Sequence, residues 1–132
     1  MKIRLAWLAV AVSGALAAQS IEPAYLFFDW GKTELSTDAT ATLDRVAQAY
    51  AQAPRPMILD GHSDRSGPDS TNLRSSRHRA EIARDYLVTH GVPASAITVR
   101  AFGESRPIIA TADGVREIQN RRVEIRFAAA AN

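Results

Sequence analysis

Two helix-length stripes of apolar residues, each set between short runs of strand type, constrain this chain more than any other feature. In the first stripe Leu43, Val46, Ala47 and Tyr50 recur at the three-and-four spacing of one helical face. In the second, Ala80, Ala83, Tyr86 and Leu87 do the same over a segment expected to run from near Asn72 to His90. Ser36 is placed to cap the first helix, and Pro54 and Pro56 end it. Gly91 and Pro93 end the second. Residues 25–28 form a short aromatic run, and residues 57–59 lead into Gly61-His62-Ser63-Asp64. Residues 97–102 alternate apolar with polar, and Val123, Ile125 and Phe127 alternate with Glu124 and Arg126. Residues 65–71 are expected as loop, and residues 103–119 as irregular chain with a short helix from about Asp113. Strand, helix, strand, helix, strand, loop, strand predicts an α/β fold. It is a two-layer sandwich, with a mixed β-sheet and helices on one face. Strand order is not readable from these patterns.

The chain has 132 residues, enough for one domain. Residues 1–18 differ from the rest: Lys2 and Arg4 precede an apolar run from Leu5 to Leu16, and Ala15-Leu16-Ala17 offers small residues at signal-peptidase spacing. They are expected to be a secretory signal peptide, leaving residues 19–132 as the exported domain. The alternative is an inner-membrane anchor over residues 5–18, although that run falls short of the roughly twenty residues a span needs. Once Lys2 and Arg4 leave, acidic and basic residues balance, and Lys32 is the one remaining Lys. A neutral chain is poorly suited to nonspecific nucleic-acid binding, which runs on phosphate neutralisation. The chain has no Cys, which excludes disulfides, thiol catalysis and lipidation on Cys. The exported domain is therefore expected to be free of a lipid anchor.

Polar clusters fall where strands end and helices begin, an edge that often binds ligands in α/β folds. Asp29 follows the first strand. Asp64 follows the second, with Asn72 and Arg79 in what is expected to be the opening of the next helix. A carboxylate and a guanidinium brought together there have two uses. One is an internal salt bridge; the other is a clamp for a zwitterion, Asp64 accepting from an ammonium and Arg79 gripping a carboxylate.

Several ordered motifs make the chain recognisable. Gly61-His62-Ser63-Asp64, Gly67 and Asn72-Leu73-Arg74-Ser75-Ser76-Arg77-His78-Arg79-Ala80 come first. Gly91-Val92, Gly103-Glu104-Ser105-Arg106-Pro107 and Asn120-Arg121-Arg122-Val123-Glu124-Ile125 follow in order, and Phe27-Phe28-Asp29 with Leu35-Ser36 fits the start. Together, over roughly residues 23–127, they resemble the OmpA-like C-terminal domain. The resemblance implies non-covalent, non-catalytic binding of peptidoglycan through the diaminopimelate of its stem peptide, linking an envelope component to the cell wall. Asp64 and Arg79 would hold the amino-acid end of the ligand, and Asp29, Asn72 and Arg121 would line the same pocket. It also implies a periplasmic, outer-membrane-associated location, an outer-membrane or envelope protein as a further partner, and a monomer or weak dimer. Asn72 can serve ligand or helix cap. Arg122 is assigned to fold or surface. Two positions depart from the family: Ser75 stands where Leu is usual, and Trp30 where smaller residues are common, free either to stack on ligand or to pack.

Three other chemistries are open to these residues. His62, His78 and His90 lack a compact ligand spacing, so no metal is expected, and His62 is assigned a structural hydrogen bond. Asp29 and Asp64 could be the paired carboxylates of a glycan hydrolase, but the Arg residues close to Asp64 in sequence favour its charged form. Arg65, Arg74, Arg77, Arg79 and Arg84 could form an anion or nucleic-acid surface. For Arg74, Arg77 and Arg84 a solvated helix face is the simpler reading. No cofactor is expected.

Overall fold

The computed structural model describes residues 23–128. The expected signal peptide, and the alternative anchor over residues 5–18, lie outside the described residues. No helix among the described residues is long and apolar enough to cross a membrane.

Four strands and two helices alternate: β1 (Ala24–Phe27), α1 (Thr37–Gln52), β2 (Met57–Gly61), α2 (Asp69–Thr89), β3 (Ile97–Ala101) and β4 (Arg122–Phe127). Single 3-10 turns at Ala94–Ala96 and Ile118–Asn120 lead into β3 and β4. The order across the sheet is β1-β4-β2-β3. The β2–β3 pair is parallel, with α2 supplying the crossover such a pair needs. β4 is antiparallel to both its neighbours and fills the slot between β1 and β2. The sheet is therefore mixed, as the element order predicts, and the chain's last strand occupies its centre.

Side chains alternate across each strand and settle where the core lies. Leu26, Met57, Leu59, Val123 and Ile125 are buried and face the helices, meeting Leu43 and Val46 of α1 and Ala80, Ala83 and Leu87 of α2. The opposite face carries Tyr25, Phe27, Asp60, Arg100, Arg122, Glu124 and Arg126. Asp60 accepts two 2.7 Å bonds from Arg100 and a 3.0 Å bond from Arg126, so its burial leaves the charge compensated. At Gly61 an added Cβ would stand 1.9 Å from the Ser76 carbonyl oxygen, so α2 rests its backbone directly on β2.

The helix ends follow the sequence in part. Ser36 caps α1, its Oγ accepting from the Ala39 amide at 3.0 Å. α2 begins at Asp69, three residues before the expected start near Asn72, with Pro68 in the extended backbone of an N-cap. Arg79 consequently lies in the middle of α2 rather than in its opening turns. The short helix expected from about Asp113 is the turn Ile118–Asn120 instead. Residues 103–117 are held without regular structure by Asn120, whose side chain accepts from the amides of Ile108 and Ile109 and donates to the Ile109 carbonyl.

Candidate ligand site

Three connections meet above the ends of β1 and β2: the β1–α1 turn, the β2–α2 loop and the long segment before β4. Between them lies a cavity of about 280 Å³ bordered by Trp30, Asp64, Asn72, Ser75, Arg79 and Arg121. Asp64 and Arg79 thus share one cleft although α2 carries Arg79 from its middle.

They are not each other's partner. Asp64 is paired with Arg121, whose Nη1 donates to Oδ2 at 2.6 Å. Its other acceptor positions are also taken: the Glu117 amide donates to Oδ2, and the Ser66 amide and hydroxyl donate to Oδ1 at 3.1 and 2.5 Å. Burial alone would raise the Asp64 pKa. The Ser66 hydroxyl, Arg121 and the Glu117 and Ser66 amides outweigh it and hold the carboxyl below the ordinary range. Arg121 Nε donates to the Phe28 carbonyl, tying β1 to the same knot.

Arg79 is different. It is 4% exposed, its Nε donates to the Lys32 carbonyl and its guanidinium lies 5.4 Å from the Phe28 ring centroid. Among the described residues no carboxylate stands within ion-pair distance of it. Burial, then the neighbouring Arg121 charge, lowers its pKa, while Asp64 raises it. A guanidinium remains charged under these loads. Asp64, Arg79 and Arg121 therefore leave one net positive charge in the cleft.

The other expected site residues divide. Asn72 is buried in the first turn of α2 and its Nδ2 donates to the Gly67 carbonyl, so it steadies the β2–α2 loop and is not the helix cap, a position Pro68 takes. Asp29 is exposed and borders a second cavity, against the first turns of α1, rather than the one that Asp64 and Arg79 border. Trp30 borders the cleft and is half exposed. Its Nε1 donates to Ser66 Oγ at 3.0 Å and Arg116 lies 3.4 Å above its ring. Ser66, Glu117 and Arg116 were missed in the sequence. Their part depends on loop conformation, for which the only signal was Ser66-Gly67-Pro68 as a turn.

The His62 expectation fails. The ring is 3% exposed and stacked on Phe102, and neither nitrogen has a hydrogen-bond partner. Burial, with the nearby Arg122 charge, lowers its pKa to about 4, so it is neutral at pH 7. Arg122 is buried, its Nη2 donating to the Arg106 carbonyl, in keeping with a role in the fold. No group of three or more metal-ligating side chains occurs among the described residues.

A two-layer α/β domain with a cationic cleft at its strand ends is the class of fold this chain adopts. Within it, the chain belongs to the OmpA family, which it matches over residues 27–121. It is 40% identical over 98 residues to a peptidoglycan-associated lipoprotein of Rhizobium meliloti strain 1021, covering 74% of this chain and 56% of that one. It is 36% identical over 98 residues to outer membrane porin F of Pseudomonas fluorescens, covering 74% of this chain and 30% of that one. The chain spans about half the length, or less, of these curated relatives. Among solved structures, the peptidoglycan-associated lipoprotein from Burkholderia pseudomallei superposes with a TM-score of 0.73 at 24% identity, covering 86% of this chain and 93% of that one. The C-terminal domain of Helicobacter pylori MotB superposes with a TM-score of 0.69 at 22% identity, covering 84% and 87%. These likenesses establish the fold.

Proposed function

We propose that this domain binds peptidoglycan non-covalently, without catalysis, through the diaminopimelate of the stem peptide, and so holds an envelope component to the cell wall in the periplasm. The observation that carries the reading is Arg79: a buried guanidinium, lacking a carboxylate partner, facing a cleft of amino-acid size. A ligand carboxylate takes its two terminal nitrogens as a fork. The ligand's ammonium sits in the field of Asp64. With that carboxylate's four hydrogen bonds already made, Asp64 acts there by charge more than by an open lone pair. Asn72 and Arg121 act by holding the walls. Relatives named for peptidoglycan association support the substrate class.

A glycan hydrolase is disfavoured on chemical grounds. It needs two carboxyls flanking one bond, one of them with a raised pKa. Asp29 and Asp64 border different cavities, and the Asp64 carboxyl is lowered.

The test compares two stem tetrapeptides that differ only in carrying meso-diaminopimelate or lysine at the third position, so that only the first offers a free amino-acid end with its carboxylate. Calorimetric titration should show the diaminopimelate peptide binding about 10–100-fold more tightly, the worth of a charged hydrogen-bonded contact. Equal affinities would sink the assignment. Purified sacculi should sediment the protein without being cleared.

A further inference from the structure

We propose that the free edge of β1 is a docking site for an extended peptide segment carrying Lys or Arg, which adds to the sheet as a fifth strand. The inference is independent of the diaminopimelate reading and begins from hydrogen-bond parity. In an antiparallel ladder alternate residues bond the neighbouring strand, and those between turn their N–H and C=O outward. The Phe28 amide bonds the Arg121 carbonyl at 3.0 Å, which makes Leu26 and Ala24 the bonded residues of β1. On the other side of β4 the His62 amide bonds the Arg122 carbonyl, so the even-numbered residues of β4 serve β2 and its odd-numbered ones serve β1. Tyr25 and Phe27 therefore present two amides and two carbonyls at the edge of the sheet, where no described strand takes them.

That edge is not bare surface. A cavity of about 360 Å³ runs between it and the first turns of α1. Strand edge on one side and helix on the other is the arrangement in which peptides bind by strand addition: backbone bonds give affinity, and flanking groups give selectivity. The flanking groups state the partner's chemistry. Asp29, Glu34 and Asp38 border the groove against Lys32 alone, so a basic side chain is favoured. The Tyr25 and Phe27 rings, stacked at 6.3 Å and about 40% exposed, extend an apolar surface for its neighbours. A second copy of this chain would bring the same acidic rim against itself. Groove and ligand cleft share the β1–α1 turn, where the Lys32 carbonyl accepts from Arg79, so an occupant would sit one turn away from a bound wall fragment.

The probe is an acetylated, amidated peptide Thr-Val-Lys-Val-Lys-Val-Thr, titrated into the 15N-labelled full chain. The expected result is amide shifts concentrated at Tyr25, Phe27 and the first turns of α1. N-methylation of the peptide's central amides, which keeps its charge and removes its strand bonds, should weaken binding by about fivefold or more, as should Glu34→Lys. Tyr25→Pro removes an outward amide that no ladder bond uses, and should do the same with the β4 amide pattern preserved. Should that variant not fold, the N-methylated peptide and the exposed Glu34→Lys still decide. Peptide affinity is read with no wall fragment present, which keeps this result distinct from any failure of the ligand reading. The proposal falls if the N-methylated peptide binds equally well, if Glu34→Lys has no effect, if shifts gather elsewhere, or if no binding occurs at millimolar peptide. Self-association through β1 would assign the edge to a second copy and overturn it too.

Discussion

Asp64 and Arg121, 57 residues apart in sequence, meet at 2.6 Å with both side chains withdrawn from solvent. The pair joins the end of β2 to the start of β4. Arg79, in the same cleft, has no such carboxylate partner, and that asymmetry separates folding from binding. Asp64→Ala strands a buried guanidinium beside Arg79 and should cost about 3–5 kcal/mol of stability as well as binding. Arg79→Met keeps an apolar stem near Phe28 and relieves like charge beside Arg121. It should change stability by no more than about 1 kcal/mol while abolishing sacculus retention. Urea melts of both variants check the contrast; equal losses would show that Arg79 too is a structural cation.

Trp30 reports on the same cleft. Its only companion indole is Trp7, in the expected leader, so a protein lacking residues 1–18 has a single emitter. The ring is held by Ser66 on one side and Arg116 above. Saturating diaminopimelate should shift Trp30 emission to the blue as the cleft fills and water leaves. Arg116→Ala should uncover the ring and shift free-protein emission to the red. Unchanged emission at saturation would place the ligand away from Trp30.

Much of this fold was legible because its signals are local. The stripes Leu43-Val46-Ala47-Tyr50 and Ala80-Ala83-Tyr86-Leu87 report helix faces, and Ser36 reports a cap. The place of β4 between β1 and β2 was not legible, since pairing joins residues a hundred positions apart with no local mark. The site divides the same way. Strand-loop-helix order suggested a shared cleft for Asp64 and Arg79, although Arg79 reaches it from the middle of α2 and not from the opening expected. That Arg121, Ser66 and Glu117 consume the acceptors of Asp64 depends on loops whose course only tertiary contacts set. Where Asp29 lies was equally illegible, since the course of the β1–α1 turn decides which cavity it borders.

His62 predicts a pH dependence. Its pKa is about 4 in the folded domain, where burial disfavours the charged ring, against 6.5 for an ordinary His. Between those values the unfolded chain binds a proton that the folded chain refuses. Stability from this residue is thus complete above pH 6.5 and declines as pH falls toward 4, by an amount on the order of 3 kcal/mol. His62→Phe keeps the stack on Phe102 and removes two unpartnered nitrogens. Denaturant midpoints at pH 7 and pH 4.5 should converge in this variant and diverge in the parent; the same pH slope in both would place the titrating group elsewhere.

Gly61 tests whether the helix-to-sheet contact governs the site. A Cβ there would stand 1.9 Å from the Ser76 carbonyl oxygen and 3.3 Å from the Ala80 Cβ, and the first of these contacts is to rigid backbone. The clash cannot be relieved by a rotamer change, so Gly61→Ala must lift α2 from β2. Ser76 Oγ also accepts from the Gly103 amide at 3.0 Å, so the loop after β3 moves with the helix. A loss of about 3 kcal/mol or more is expected in urea unfolding, at the upper end for overpacking. Because Arg79 rides on α2 while Asp64 stays with β2, diaminopimelate affinity should fall even in the fraction that remains folded. Calorimetry on that folded fraction decides: parental affinity would mean that the cleft tolerates displacement of α2 and that Arg79 is not held by this contact.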